Sequence, residues 1–338
     1  MVAQLYPRLR WADHLPVDYA TMRSDSYRYL NEVREAVMPR FLDAATGRFK
    51  TALLRESPCL LCGERRFTPE FDKEGLSFVR CAACALVQVN PLPIERVADD
   101  FYASEHYSRV MQTHVVEKHA YRIDRFATER VDTWERVLGP GENRACLDVG
   151  CASGFVLELA HQRGWRACGV DLNQRAVEVA RGKGLDVQCA PLESCTFADA
   201  SFDVVTLYDV LEHLYRPMDI LRRAHQLLKP GGLLVLYVPN YESFLRLVLG
   251  VDAFFIWGIF HLTYFTGETL AHAVRTAGFD VLSIETHGMD MADLIWREEH
   301  RGAGRPTDYV REHREKFQFV IDTAGWGNSL RLYASRPA

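Results

Sequence analysis

From Ala145 onward the chain alternates short apolar runs with amphipathic segments: CLDVG, FVLELAHQRG, ACGVD, QRAVEVARGKG and LDVQC follow one another without a break. Strand-length runs separated by helices of about ten to fifteen residues are the pattern of βαβ units and a parallel sheet. The alternation predicts a doubly wound α/β sheet over residues 140–338, with further strands at Phe202–Leu207, Leu233–Val238, Phe279–Glu285 and Ser329–Ser335 and helices near 217–228 and 266–277. Two segments, 241–265 and 287–328, are longer than such a scaffold needs to connect its elements. Long connections in compact domains serve as lids or binding elements, so substrate choice is expected to reside there.

A second constraint comes from cysteine. Four of the nine cysteines form two C-x-x-C pairs, Cys59 with Cys62 and Cys81 with Cys84, with eighteen residues between the pairs; Cys146, Cys151, Cys168, Cys189 and Cys195 are scattered through apolar surroundings. Two such turns brought together supply the four sulfurs of a tetrahedral zinc site, and full coordination leaves no open position, so the expected role is structural. Phe67, Phe71, Leu76, Phe78, Leu86, Val87 and Val89 offer a small apolar patch around them. A segment of roughly forty residues buries too little apolar surface to fold alone, and metal binding supplies the missing free energy. Unligated thiols, a redox dithiol and an iron–sulfur centre are the weaker readings.

The spacing of Tyr27, Leu30, Val33, Val37 and Phe41 predicts an N-terminal helical segment over 1–55. A zinc-binding module follows over 56–93 and closes at Asn90-Pro91-Leu92-Pro93, where two prolines in three residues cannot continue a regular element. A charged helical connector over 94–139 leads into the α/β domain. With 48% hydrophobic and 25% charged residues the chain of 338 residues is expected to fold throughout. A net charge of −5 leaves no broad cationic field for a polyanion, so nucleic acid is not the expected partner. The opening MVAQLYPRLRW lacks the pattern of a secretory signal, which sets a cytoplasmic expectation. The most apolar window, Phe244 to Phe265, carries Arg246, Asp252 and His261 and reads as buried protein, not a membrane span.

In Leu147-Asp148-Val149-Gly150-Cys151-Ala152-Ser153-Gly154-Phe155 a strand ends in small residues and opens a helix, the place where α/β sheets bind ligands. Asp171 follows 23 positions after Asp148, at the end of the second strand, where a carboxylate accepts hydrogen bonds from a ribose diol. A pyrophosphate favours G-x-G-x-x-G and would be repelled by Asp148, whereas an ammonium-bearing nucleoside such as S-adenosylmethionine suits it.

Taken together, LDVGCASGF at 147–155, GVDLN at 169–173, SFDVVTLYDVLEHL at 201–214, LLKPGG at 227–232 and HLTYFTGETL at 261–270 resemble the class I S-adenosylmethionine-dependent methyltransferases over most of residues 145–285. The resemblance implies that Gly150, Ala152 and Gly154 line the methionine end with Asp148 nearby, and that Asp171 meets the ribose, with Leu172 beside it among the cofactor-binding residues. It places Pro191 and Leu192 near the adenine, and Tyr208 and Asp209 toward the methionine and the reactive methyl. Ala152 stands at the middle position of the usual glycine-rich turn, and the acidic residue often found after the third strand is absent from Cys189-Ala190-Pro191-Leu192-Glu193. RCAACALVQVNPLP at 80–93 is similar to the metal-binding front end of methyltransferases of small-molecule and sugar pathways. Deoxysugar C-methyltransferases share the paired cysteines and a histidine before an aromatic pair, here His261 with Tyr264-Phe265, although Phe260 replaces the usual acidic residue.

Transfer from a sulfonium needs the acceptor placed in line behind the methyl, and a hydroxyl or carbon acid also needs a base. His261 and His213, with Tyr264 beside them, are the candidate catalytic residues, histidine being suited to neutral pH. The plainer roles are packing for His213 and a backbone hydrogen bond for His261. Asp209, Glu212 and His213 offer ligands for a divalent ion, though cofactor-loop and helix-start duties are the commoner use. The expected function is methyl transfer to a small molecule, a sugar or specialised metabolite, at oxygen or carbon. The alternatives are an RNA methyltransferase with a zinc ribbon and a non-catalytic zinc-organised interaction module, with a nicotinamide oxidoreductase more distant.

Overall fold

Apolar residues three or four apart fold Ser26–Val37 into helix α1, whose Val33 and Val37 are buried together with Phe41 beyond its end. The computed structural model describes residues 11, 16–18, 26–112, 117–301 and 308–338. Most of the expected helical stretch before residue 26, and residues 302–307 of the second long connection, lie outside the described residues. After α1, the two-residue strand β1 (Leu54–Arg55) precedes the hairpin of β2 (Phe67–Lys73) and β3 (Leu76–Cys81). Its turn is Glu74-Gly75, both with positive φ, the geometry whose twist matches a two-residue hairpin. β4 (Val87–Val89) pairs with β3, and β5 (Leu92–Pro93) returns to pair with β1.

The stretch between this unit and the α/β sheet is a broken series of helices. It contains α2 (Glu95–Tyr102), α3 (Glu105–Met111) capped by the Ser104 side chain, a π-turn at Ile123–Ala127, and α4 (Thr128–Leu138). The alternating pattern beyond it folds as β6 (Ala145–Val149), α5 (Phe155–Gln162), β7 (Arg166–Asp171), α6 (Gln174–Gly182), β8 (Asp186–Cys189), β9 (Phe202–Tyr208), α7 (Pro217–Leu227) and β10 (Leu228–Pro239). The first long connection holds α8 (Phe244–Leu249) and β11 (Thr263–Tyr264) before α9 (Gly267–Thr276), which carries a Thr266/Thr269 capping box. β12 (Asp280–His287), α10 (Asp290–Arg301), α11 (Arg314–Thr323) and β13 (Ser329–Ser335) complete the chain.

The large sheet has the order β12-β13-β10-β9-β6-β7-β8, parallel except for β13. From β6 the chain winds outward through β7 to β8, then returns to β9 on the other side. The switch of direction between β6 and β9 opens a crevice at the strands' carboxyl ends, where ligands of such sheets bind. β6 is buried along its whole length, as a central parallel strand covered on both faces must be.

A second sheet, of order β11-β4-β3-β2, takes its edge strand from the α/β domain's own first long connection: Thr263 pairs with Gln88 and Tyr264 with Val87. The cysteine-bearing segment is therefore built into the larger domain. Cys59, Cys81 and Leu86 share one apolar core with Leu147, Leu207 and Phe265. A second core joins Val33 and Val37 of α1, Phe78 and Val89 of the small sheet, Phe101 of α2, and Phe255, Trp257 and Tyr264 of the connection. The window 244–265 is divided between these elements, and among the described residues no helix is long and apolar enough to cross a membrane.

Candidate active site

A cavity of about 1880 Å³ opens at the carboxyl ends of β6, β7, β8 and β9, roofed by the connector helices and by the first long connection. Its floor is the turn after β6. Gly150 has φ +76, and a Cβ there would stand 2.4 Å from Cγ2 of Val210, so only glycine fits. Ala152 also takes positive φ, which an alanine tolerates at modest cost. Gly154, φ +74, caps α5 and does not line the cavity; a Cβ there would strike Leu185 at 2.5 Å. The glycine serves the packing of α5 on the sheet.

The polar groups of the turn are mostly committed internally. Gly150 N and Cys151 N donate to Val170 O, Gly154 N donates to Cys151 O, and Ala152 N donates to Asp171 Oδ2 at 2.8 Å. Asn173 N donates to Asp171 Oδ1 at 2.7 Å. Burial raises Asp171 above the ordinary carboxylate range, and these backbone donors oppose the rise. With about four acceptor positions and two backbone donors, the carboxylate keeps capacity toward the cavity it lines. Asp148, 3% exposed, accepts a 2.7 Å hydrogen bond from Thr206 Oγ1. Its carboxyl is pushed up to about 7, by burial first, against the pull of Thr206 and of the Arg130 charge.

Around this floor, Leu172 is 70% exposed at the rim, and Pro191 and Leu192 begin the turn after β8 on the cavity wall. The Tyr208 hydroxyl accepts from Trp134 Nε1 at 3.2 Å, and the residue lines the cavity. Asp209, exposed and with φ +57, stands at the tip of β9. Sequence reasoning missed Arg130. Its guanidinium lies 3.8 Å from the Tyr208 ring centroid and 5.1 Å from that of Tyr237, and the residue is only 8% exposed. Among the described residues it makes no hydrogen bond or ion pair, although it lines the cavity. His119, also unforeseen, ties the connector to the turn, its Nδ1 2.9 Å from Ser153 Oγ and its Nε2 2.7 Å from Glu158 Oε2.

Another part of the cavity lining is aromatic, made by Tyr102, Tyr107, Trp257 and Phe260. There the structure brings His213 and His261 together with ring centroids 4.8 Å apart. His213 Nδ1 lies 2.6 Å from Phe260 O, and His261 Nδ1 lies 2.7 Å from Phe255 O. A carbonyl only accepts, so each Nδ1 carries the proton and each Nε2 keeps a lone pair. Burial lowers both imidazoles, His261 well below its usual value, with repulsion from His213 adding to it. Glu212, 1% exposed, is adjacent, its Oε1 3.6 Å from His213 Nε2. Tyr264 stands with its ring edge-on to His261, the centroids 6.3 Å apart. It is 2% exposed, lies off the cavity wall, and its hydroxyl accepts from Trp257 N at 3.2 Å. Its hydrogen bond holds the Trp257–His261 stretch in place.

The four cysteines converge as their spacing predicted. Cys59 and Cys84 sulfurs are 3.5 Å apart, as are those of Cys62 and Cys81, and all four lie within 4.8 Å of one another. A zinc tetrahedron with bonds of about 2.3 Å has sulfur–sulfur edges of about 3.8 Å, so the donor set fits that ion. Gly63 and Ala85, both with positive φ, close the two turns through Gly63 N to Cys59 O and Ala85 N to Cys81 O.

The family model of the methyltransferase domain matches residues 119–284. The ubiquinone biosynthesis O-methyltransferase of Paracidovorax citrulli is 30% identical over 178 residues, 48% of this chain and 74% of that protein. The protein of the same name from Idiomarina loihiensis is 43% identical over 95 residues, 25% of this chain, and the match spans 38% of its own length. Among solved structures, Haemonchus contortus phosphoethanolamine N-methyltransferase 2 in complex with S-adenosyl-L-methionine superposes with a TM-score of 0.51 at 15% identity, over 75% of this chain and 63% of that one, a likeness of fold. The chain belongs to the class I S-adenosylmethionine-dependent methyltransferases. It is an enzyme of methyl transfer, with the seven-stranded sheet described above as its catalytic scaffold.

Proposed function

We propose that the enzyme methylates a hydroxyl oxygen of a small molecule that presents an apolar or ring face to the aromatic part of the cavity. The observation that carries this reading is the His213/His261 pair, held through Nδ1 to backbone carbonyls, packed on Phe260 and lining the same cavity as Tyr102, Tyr107, Trp257, Arg130 and Asp171. Two curated relatives named as ubiquinone biosynthesis O-methyltransferases support oxygen as the atom methylated.

At the cofactor end, Asp171 takes the ribose diol, while Pro191, Leu192 and Leu172 flank the adenine and sugar. Arg130 meets the α-carboxylate, since a buried guanidinium that makes no hydrogen bond or ion pair among the described residues suits one. Asp148, Gly150 and Ala152 face the ammonium end, and Tyr208 and Asp209 border the sulfur. The committed N–H groups of Gly150, Cys151, Ala152 and Gly154 leave the turn poorly equipped for a diphosphate, which favours a phosphate-free ligand. When bound, S-adenosylmethionine supplies an already activated methyl. The protein's work is to align the acceptor behind it and to draw off the hydroxyl proton at the His213/His261 pair. Cys59, Cys62, Cys81 and Cys84 hold a structural zinc that fixes the small sheet and, through β11, the segment carrying His261.

His261→Ala is the test, with binding of S-adenosylhomocysteine measured beside turnover. Turnover is expected to fall about 100-fold or more while binding stays within a few-fold. Unchanged turnover would remove His261 from the reaction.

A further inference from the structure

Glu212 is harder to explain than either histidine. It is 1% exposed, neither carboxylate oxygen has a hydrogen-bond partner, and no lysine or arginine pairs with it among the described residues. The contact to His213 Nε2, 3.6 Å, is too long for a hydrogen bond. A carboxylate so placed is costly unless a cation sits with it.

The surroundings supply the rest of a coordination set. Both imidazoles are held through Nδ1 to a backbone carbonyl, the outer contact that orients Nε2 in metal sites. One ligand atom from each of Glu212, His213 and His261 lies within 4.8 Å of the others. The three come from two separate places, Glu212 and His213 from the loop after β9 and His261 from the connection that completes the small sheet, so the cluster exists only in the folded chain.

We propose that Glu212, His213 and His261 bind a divalent transition cation, at a site separate from the four cysteines. Two imidazoles and one carboxylate suit Zn²⁺, Fe²⁺, Co²⁺ or Ni²⁺, whereas Mg²⁺ and Ca²⁺ seek oxygen ligands. Three protein ligands leave a position open, and this one opens on the aromatic part of the cavity. An oxygen of the acceptor fills it. That last statement rests on the methyltransferase reading; the cation itself does not. With the ion in place the two Nε2 lone pairs bind metal and no longer accept a proton, so the ion replaces the direct imidazole base. Coordination acidifies the acceptor hydroxyl, and its proton passes to solvent.

The experiment is equilibrium dialysis of the full chain against low micromolar Zn²⁺, followed by metal analysis, on wild type, Glu212→Gln and His261→Gln. Two zinc ions per chain are expected in wild type and one in each variant, with far-UV circular dichroism unchanged. Co²⁺ added to wild type whose cysteine site already holds zinc is expected to give visible ligand-field bands without thiolate charge transfer, absent from Glu212→Gln. One zinc per chain in wild type and variants alike would overturn the site. So would a carboxylic-acid infrared band in dialysed wild type that vanishes in Glu212→Gln, because the buried carboxyl would then be protonated. S-adenosylhomocysteine binding in the same samples keeps the two readings apart: a single zinc with binding retained removes the cation alone, and loss of binding by wild type removes the cofactor reading.

Discussion

Replacing Arg130 with methionine separates a carboxylate clamp from a merely packed arginine. The residue is 8% exposed, its guanidinium rests on the Tyr208 ring at 3.8 Å, and it makes no hydrogen bond or ion pair among the described residues. Methionine keeps most of the apolar contact with Tyr208, Tyr237 and Phe155 and removes the charge. A hydrogen bond between charged groups contributes about 1.5–3 kcal/mol net, which at 1.36 kcal/mol per decade corresponds to about 10- to 150-fold in affinity. Isothermal titration with S-adenosylhomocysteine and with its decarboxylated analogue closes a cycle. Wild type should lose that factor when the ligand's carboxylate is removed. Arg130→Met should bind the two ligands equally, and both about as weakly as wild type binds the analogue. If the substitution weakened both ligands by the same factor, or weakened neither, the carboxylate would be held elsewhere and Arg130 would be a packing residue.

Other expectations follow from contacts of the same kind. Tyr264→Phe strands the buried Trp257 N–H, which should cost about 1–3 kcal/mol in urea unfolding while kcat stays within about two-fold; a collapse of kcat at unchanged stability would return Tyr264 to the chemistry. Cys81→Ser should abolish zinc binding at the cysteine site and lower the melting temperature by several degrees, because Cys81 and Leu86 share a core with Leu147 and Leu207; equal melting curves would show that the ion is dispensable to the fold. Asp322 is raised from 3.8 to about 8, chiefly by burial, so between those values the folded chain holds a proton that the unfolded chain has released. Its contribution is intact at and below the unfolded value and is lost as pH rises toward 8. Asp322→Asn should flatten the fall in urea midpoint between pH 5 and pH 8, and an identical slope would reject the assignment.

The central sheet was legible because its signals are local. Apolar runs such as CLDVG and ACGVD alternate with amphipathic ones at intervals that admit only crossover helices, and turn residues mark their ends. Asp148, Gly150 and Asp171 were legible for the same reason, being placed by strand ends a few residues away. Arg130 was not, since an arginine on an amphipathic helix ordinarily faces water, and only the docking of α4 over the ends of the strands turns it inward. Gly154 and Tyr264 show the converse: both sit at motif positions, yet one packs under α5 and the other fastens a loop.

What the order of residues determined alone is therefore the strand–helix alternation, the glycine turn and the four sulfurs, each encoded within about thirty positions by periodicity or spacing. The tertiary structure decided the rest. It paired Thr263 with Gln88, brought Glu212, His213 and His261 within reach of one another, and aimed Arg130 at the crevice. These depend on the relative placement of elements far apart in the chain, which burial of apolar surface sets and no local pattern records.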